Sequence, residues 1–166
     1  VADGGCGVET EIRQDWCANA MVATLVEVKQ TNGYAGLLGL ISHEYFHTWN
    51  VKRLHPADFS EFDYSQENYT EMLWFFEGFT SYYDDLLLRR SGLIDDAQYL
   101  EVLCKTVNHV WQTPGRKVQS VPQASFDAWI IYYRPEHNTP NTTVSYYTKG
   151  AWVASSFICP CGIMGD

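Results

Sequence analysis

Two histidines four residues apart, with a glutamate directly after the first, could together bind and use a metal ion. The stretch HEYFH contains His43, Glu44 and His47. Residues i and i+4 of a helix share a face, so both imidazoles can point at one metal ion. Glu44 projects toward the edge of that face, where it can reach a water on the metal rather than the metal itself.

A third metal ligand must come from elsewhere, because catalytic zinc sites take three protein ligands and leave one position for water. Glu77 is the best candidate. It follows Phe75 and Phe76 and precedes Phe79, and an unpaired carboxylate buried among such side chains would be costly without a metal. Gly78 weakens a helix by about 0.5–1 kcal/mol relative to Ala, which indicates that another group approaches closely there. The alternative is that Glu77 lies on a solvated strip of its helix.

The elements that position these residues are predicted to be helices. Apolar residues recur every three to four positions from Tyr34 to about Val51, which places HEYFH on a first helix. A second helix is predicted from about Gln66 to Arg90, with Ser65 or Asp63 as its cap and Gly92 as its stop. Its predicted inner stripe is Met72, Leu73, Phe76, Phe79, Tyr83, Leu86 and Leu87.

The rest of the chain adds shorter elements. A third helix is predicted over residues 95–111, with Asp95 as its cap. Residues 112–145 read as loops with short helical or extended pieces, and a last helix begins near Tyr147. Residues 18–29 mix alanine with β-branched residues and could form a strand. The fold class predicted is therefore mainly α with a small β element.

Composition narrows the classes of function. The 166 residues suit one domain, and 46% of them are hydrophobic. The formal net charge of −9 argues against nucleic acid as a partner and suits a site that attracts a cationic group such as a peptide amino terminus. We expect no membrane-spanning segment, because no apolar run is long enough. The chain has no initiator Met and no visible signal peptide, so we expect a product of processing or excision, with its compartment undecided.

Several ordered segments resemble one peptidase family. They are HEYFHTWNVKRL, FDYSQENYTEMLWFFEGFTSYYDDLLLRRSGL, GRKVQS, ASFDAWI and YYRPEHNTPNTTVSYYTKG. From about Leu37 to Val153 the chain resembles the glycyl aminopeptidases, which are zinc metallopeptidases of the gluzincin group with a thermolysin-like catalytic domain. The resemblance implies one Zn²⁺ ion bound by His43, His47 and Glu77, with Glu44 as the general base.

The resemblance also implies residues that contact the substrate. Related enzymes stabilise the oxyanion with the tyrosine of a Y-x-K-G motif. That tyrosine corresponds to Tyr147 here, and the adjacent Tyr146 stays open as an alternative. The related enzymes also bind the ammonium group of the substrate, through a carboxylate upstream of HExxH. Gly7-Val8-Glu9 resembles that stretch, with Thr10 where the family usually has His, so Glu9 is predicted to bind the amine, or else is a solvated loop residue.

A further carboxylate is expected to orient a histidine ligand. Thermolysin-like sites often have an aspartate four residues after the glutamate ligand, but this chain has Ser81 there. Asp84, two turns after Glu77, is the predicted substitute. The alternative is a surface acid that belongs with Arg89 on the same helix.

The sequence thus predicts one domain over residues 1–166, matched weakly at 1–30 and 154–166. We expect it to lack the β-rich amino-terminal domain and the PDZ-like carboxy-terminal domain of full-length family members. The predicted function is hydrolysis of peptides by zinc-activated water, and the resemblance implies release of small amino-terminal residues such as Gly or Ala. The alternatives are a zinc endopeptidase and a non-catalytic, zinc-containing fragment or binding module.

Overall fold

The structure, a computed structural model, describes residues 33–60 and 63–162, and this part is mainly α-helical. The chain divides into two units, Val1–Ile41 and Ser42–Asp166. The α-helices are α1 (Gly33–Phe46), α2 (Leu73–Arg90), α3 (Asp96–Gln112), α4 (Val121–Phe126), α5 (Thr139–Thr142) and α6 (Tyr146–Gly162). Two 3₁₀ helices cover Ala57–Phe59 and Pro114–Lys117, and a π-helical turn covers Ala128–Tyr132.

The predicted mainly α class is confirmed for this part of the chain. Its β pairing is one isolated parallel bridge between Asn50 and Leu54, and the strand predicted over residues 18–29 lies outside the described residues. None of the described helices is long and apolar enough to cross a membrane. The single domain over residues 1–166 stays a prediction.

Helix α1 ends earlier than its apolar periodicity predicts. The periodicity extends to Val51, whereas the helix ends at Phe46 and a series of turns follows. Val51 has a φ of 129°, which no α-helical residue can adopt. The helix therefore stops directly before His47, and the residues after it form a tight turn.

Helix α2 begins seven residues later than predicted, and the predicted caps are wrong. Asp63 accepts hydrogen bonds from the amide of Ser65 at 2.9 Å and from its hydroxyl at 2.6 Å. Asn68 donates to the carbonyl of Asp63 at 2.8 Å. These side chains close a local loop instead of capping a helix. The end of α2 at Arg90 is as predicted, and Gly92 adopts a left-handed φ of 75° just after it.

The inner face of α2 differs in part from the predicted stripe. Met72 and Leu87 are 38% and 37% exposed. The buried set instead repeats every four residues, as Phe76, Thr80, Asp84 and Leu88. Polar residues lie inside because they bind the turn after α1 and a histidine of HEYFH, as described below.

A close crossing of α2 and α6 explains why glycine occurs at positions 78 and 150. Helix α2 packs against α6, and a Cβ built on Gly78 would lie 2.5 Å from the backbone of Gly150. A Cβ on Gly150 would lie 2.5 Å from the carbonyl oxygen of Trp74. The close approach indicated by Gly78 is therefore confirmed, and the approaching group is the backbone of α6.

The remaining helices follow the sequence signals closely. Asp95 caps α3 and forms a reciprocal capping box with Gln98. Helix α6 begins at Tyr146, one residue before the predicted start. Between them, residues 112–145 form the short helical pieces expected. A buried cluster of Ala124, Ala128, Val144 and Tyr146 packs against the start of α2 and supports that end of the site.

Candidate metal centre

Three side chains from two helical segments converge in the Ser42–Asp166 unit. The Nε2 atoms of His43 and His47 lie 3.1 Å apart. The Oε2 atom of Glu77 lies 3.2 Å from Nε2 of His43 and 3.3 Å from Nε2 of His47. His43 comes from α1, His47 follows that helix directly, and Glu77 comes from α2. The sequence-predicted ligand set is therefore brought together.

The other ring nitrogen of each histidine has an acceptor. Nδ1 of His43 lies 2.9 Å from Oδ2 of Asp84. Nδ1 of His47 lies 2.8 Å from the backbone carbonyl oxygen of Asn50. Since a carbonyl or carboxylate oxygen can only accept, each Nδ1 carries a proton. In the neutral rings the lone pairs are then on Nε2, and both face the carboxylate of Glu77.

This arrangement fits a zinc ion. Two lone pairs and a carboxylate oxygen at such separations repel one another unless a cation lies among them. Ligand atoms about 2.0–2.1 Å from a tetrahedral zinc lie about 3.3–3.4 Å from each other. The observed separations of 3.1, 3.2 and 3.3 Å match that spacing. Two imidazole nitrogens and one carboxylate are also a ligand set that catalytic zinc uses.

The pKa values of His43 and Glu77 in the metal-free chain also indicate that the site favours a positive charge. Burial alone would lower the pKa of His43, but its hydrogen bonds to Asp84 and Glu77 raise it to about 9. Burial would raise the pKa of Glu77, yet its hydrogen bonds to His43 and His47 lower it to about 2. In the metal-free chain, a proton on His43 thus supplies the positive charge that a metal ion would supply.

Asp84 lies where the sequence predicts a residue that orients a ligand. It is buried and bound to His43, and burial raises its pKa although His43 acts in the opposite direction. The alternative of a surface acid belonging with Arg89 is wrong. Arg89 instead forms an exposed ion pair with Asp96 at 2.7 Å.

Glu44 lies on α1 beside the ligand His43 and is half-buried. Burial raises the pKa of its carboxyl, the two neighbouring histidines lower it, and Glu77 raises it again. The net upward shift makes the carboxylate a better proton acceptor than a solvated glutamate. Glu44 thus directly follows His43 in the chain and has the environment of a base.

The two adjacent tyrosines of α6 have different surroundings. The ring centre of Tyr147 lies 6.4 Å from that of His43. Tyr146 is buried in the core, and its hydroxyl is 3.0 Å from the hydroxyl of Tyr133. Burial, followed by the charge of Glu77, raises the pKa of Tyr147. The Tyr147 hydroxyl therefore stays protonated and able to donate.

The other residues of the Y-x-K-G stretch fix its position. The ammonium of Lys149 donates to the carbonyl oxygens of Arg116 and Gln119, each at 3.2 Å. Gly150 lies against α2, where a side chain would collide with the backbone of Trp74. Lys149 thus ties the first turns of α6 to the segment of Arg116 and Gln119, and Gly150 lets α6 lie close to the helix that carries Glu77. Glu9, the predicted amine-binding residue, lies outside the described residues.

The sequence reasoning missed Asn50, which binds His47 through its carbonyl and is itself buried. A signal was available in the sequence. Asn50 is a polar residue three positions after His47, at the point where an apolar helical pattern gives way to VKRLHP. A buried side-chain amide after a helix end needs hydrogen-bond partners, and its partners here are the carbonyl oxygen of Phe76 and the hydroxyl of Thr80 on α2.

Comparison with known proteins finds a match over most of the chain. The profile of the family described as M61 glycyl aminopeptidase matches residues 36–153. A crystal structure of an aminopeptidase N family protein from Idiomarina loihiensis is 47% identical, with a TM-score of 0.74. The match covers 76% of this chain and 22% of that one, so the chain spans about a fifth of the length of that protein. No curated protein matches the sequence.

Proposed function

Because the chain belongs to the M61 glycyl aminopeptidase family, we propose that it provides a zinc-dependent peptidase site that removes small amino-terminal residues, Gly or Ala, from peptides. The observation that carries this proposal is the convergence of His43, His47 and Glu77 at separations suited to tetrahedral zinc. The family description supports glycine as the residue removed, and alanine is proposed as the next smallest residue.

A zinc ion held by these three ligands would lower the pKa of a bound water and polarise the substrate's carbonyl group. The protein's part is to keep the ligands in place. Asp84 and the carbonyl of Asn50 hold the two rings with Nδ1 protonated. The low pKa of Glu77 keeps its carboxylate charged over the working pH range.

Glu44 is the proposed general base. It accepts the proton of the attacking water and delivers that proton to the departing amine, so one carboxyl group serves in both steps. Its position supports this role, since it lies next to a ligand on α1 without being one of the three converging groups.

Tyr147 is the proposed oxyanion donor. Its ring centre lies 6.4 Å from that of His43, whereas Tyr146 is buried in the core. Of the two tyrosines left open by the sequence, Tyr147 is therefore favoured. A hydroxyl that stays protonated can donate to the negative oxygen of the tetrahedral intermediate.

The proposal is tested by measuring metal content and peptide hydrolysis on the same preparation. We expect one zinc per chain, hydrolysis of glycyl and alanyl anilides, loss of activity with a chelator and its return with zinc. Glu77→Gln is expected to lose zinc. Glu71→Gln is the matched control, because this exposed carboxylate is near the start of α2 and outside the converging group.

Two outcomes would contradict the proposal. Cleavage of amino-terminally blocked peptides in preference to free ones would identify an endopeptidase. Zinc binding without hydrolysis of any peptide would identify a zinc-containing binding module.

A further inference from the structure

Asn50 connects the turn after α1 to α2 through its buried side chain. The side-chain amide donates to the carbonyl oxygen of Phe76 at 2.8 Å and to the hydroxyl of Thr80 at 3.0 Å. Phe76 directly precedes Glu77, and Thr80 follows it by three residues. The side chain of Asn50 thus forms hydrogen bonds with α2 on both sides of Glu77.

The backbone of the same residue holds a histidine ligand. The carbonyl oxygen of Asn50 accepts from Nδ1 of His47 at 2.8 Å, and its amide donates to the carbonyl of Phe46 at 3.1 Å. The carbonyl sets which nitrogen of His47 carries the proton and which way the ring faces. Nε2 is left for a metal ion.

The turn that presents this carbonyl is strained. Val51 has a φ of 129°, a conformation that a β-branched residue rarely adopts. It persists only where surrounding contacts impose it. Here those contacts are the hydrogen bond from the Val51 amide to Leu54 at 2.8 Å and the anchoring of the adjacent Asn50 to α2.

From these contacts we infer that Asn50 is a positioning residue for the metal centre, which couples the orientation of His47 to the position of Glu77. The inference rests on the proposed function for the identity of the metal. Asn50 touches neither metal nor substrate. It acts because a tetrahedral site tolerates only small errors in ligand placement, and this residue fixes two of the three ligands relative to each other.

The test is zinc affinity, measured by chelator competition on the full chain with Asn50→Ala. Loss of a group that orients a ligand typically weakens metal binding about 10–100-fold, and we expect a loss in that range. The matched control is Gln119→Ala. Gln119 is also a buried amide, 8% exposed against 6% for Asn50, and it binds Asp127 and Thr143 rather than a ligand. The control is expected to lose stability and to keep the affinity of the unmodified chain.

Equal zinc affinities of the Asn50→Ala and Gln119→Ala variants would overturn the inference, because a purely structural residue would behave in that way. The proposed function would survive this result as long as the unmodified chain binds zinc and hydrolyses peptides.

A second measurement needs no variant and so does not depend on whether Asn50→Ala folds. Long-range ¹H–¹⁵N correlation spectra of the metal-free chain report which ring nitrogen of His47 carries the proton in the neutral tautomer. We expect the proton on Nδ1. A proton on Nε2 would overturn the inference even if the site still bound zinc.

Discussion

Gly150→Ala tests whether the α2–α6 crossing sets the distance between the oxyanion donor and the metal ligands. The new methyl carbon would lie 2.5 Å from the carbonyl oxygen of Trp74 and 2.9 Å from Cα of Gly78. Ordinary contacts begin near 3.4 Å, so the two helices must separate by about 1 Å. Both opposing atoms belong to the backbone, and no side-chain rotation can relieve the collision.

The energetic cost follows from two opposing effects. Overpacking of this kind costs about 1–3 kcal/mol, and replacing Gly by Ala inside a helix returns about 0.5–1 kcal/mol. We expect the free energy of unfolding to fall by about 1–2 kcal/mol. Tyr147 lies on the displaced helix and Glu77 on the other, so hydrolysis should fall about 100-fold, the effect expected of a 1 Å misplacement. Zinc affinity should stay unchanged, since no ligand lies on α6.

The assay compares kcat/KM on an alanyl anilide, zinc affinity and urea unfolding, all at a temperature where the variants are folded. Gly92→Ala is the control. Its φ of 75° makes alanine unfavourable by about 1–2 kcal/mol, yet nothing lies within 4 Å of the new methyl group. It should lose stability and keep activity. If Gly150→Ala loses no more activity than Gly92→Ala, the crossing does not position Tyr147 and the reasoning is refuted.

Three further predictions follow from the centre and its turn. Because the pKa of His43 is raised from 6.5 to about 9, its contribution to the stability of the metal-free chain is complete below pH 6.5 and is lost as the pH rises through about 9. Zinc binding near pH 8 should therefore release about one proton, measured by calorimetry in buffers of different ionisation enthalpy, and no release would contradict the protonated His43. Asp84→Ala removes the acceptor at Nδ1 of His43 and should weaken zinc binding about 10–100-fold, whereas Asp84→Asn keeps an acceptor and should weaken it less. The Val51→Gly variant should have a free energy of unfolding about 1 kcal/mol higher than the Val51→Ala variant, measured with urea, because glycine readily adopts a φ of 129°. If the alanine variant is the more stable of the two, the backbone at residue 51 is not strained.

The sequence predicted the helices well where periodicity and local signals agreed. Asp95 has a capping partner three residues on, and Gly92 follows the last apolar position of α2, so both ends were predicted correctly. The start of α2 could not be predicted in the same way. Asp63 and Ser65 resemble helix caps in sequence, but their hydrogen bonds close a loop among themselves and Asn68.

The sequence predicts His43, His47 and Glu77 as a ligand set and Asp84 as a residue that orients a ligand, and the structure brings these side chains together. The sequence does not predict Asn50. HEYFH and the glutamate among the aromatic residues of α2 can be recognised from their residue types and from their spacing within short stretches of sequence. The role of Asn50 depends on contacts with Phe76 and Thr80, which are 26 and 30 residues away in the chain. The burial of Asp84 likewise depends on the packing of α2, because by sequence alone a surface acid that belongs with Arg89 was an equally good interpretation.

We propose that Glu44 acts as a base beside a zinc ion held by His43, His47 and Glu77. The most direct test of this proposal is zinc content and alanyl-anilide hydrolysis of Glu44→Gln, measured beside the unmodified chain. We expect one zinc per chain in both proteins, with hydrolysis by the variant reduced about 10²–10⁴-fold. Full activity of Glu44→Gln with zinc bound would contradict it.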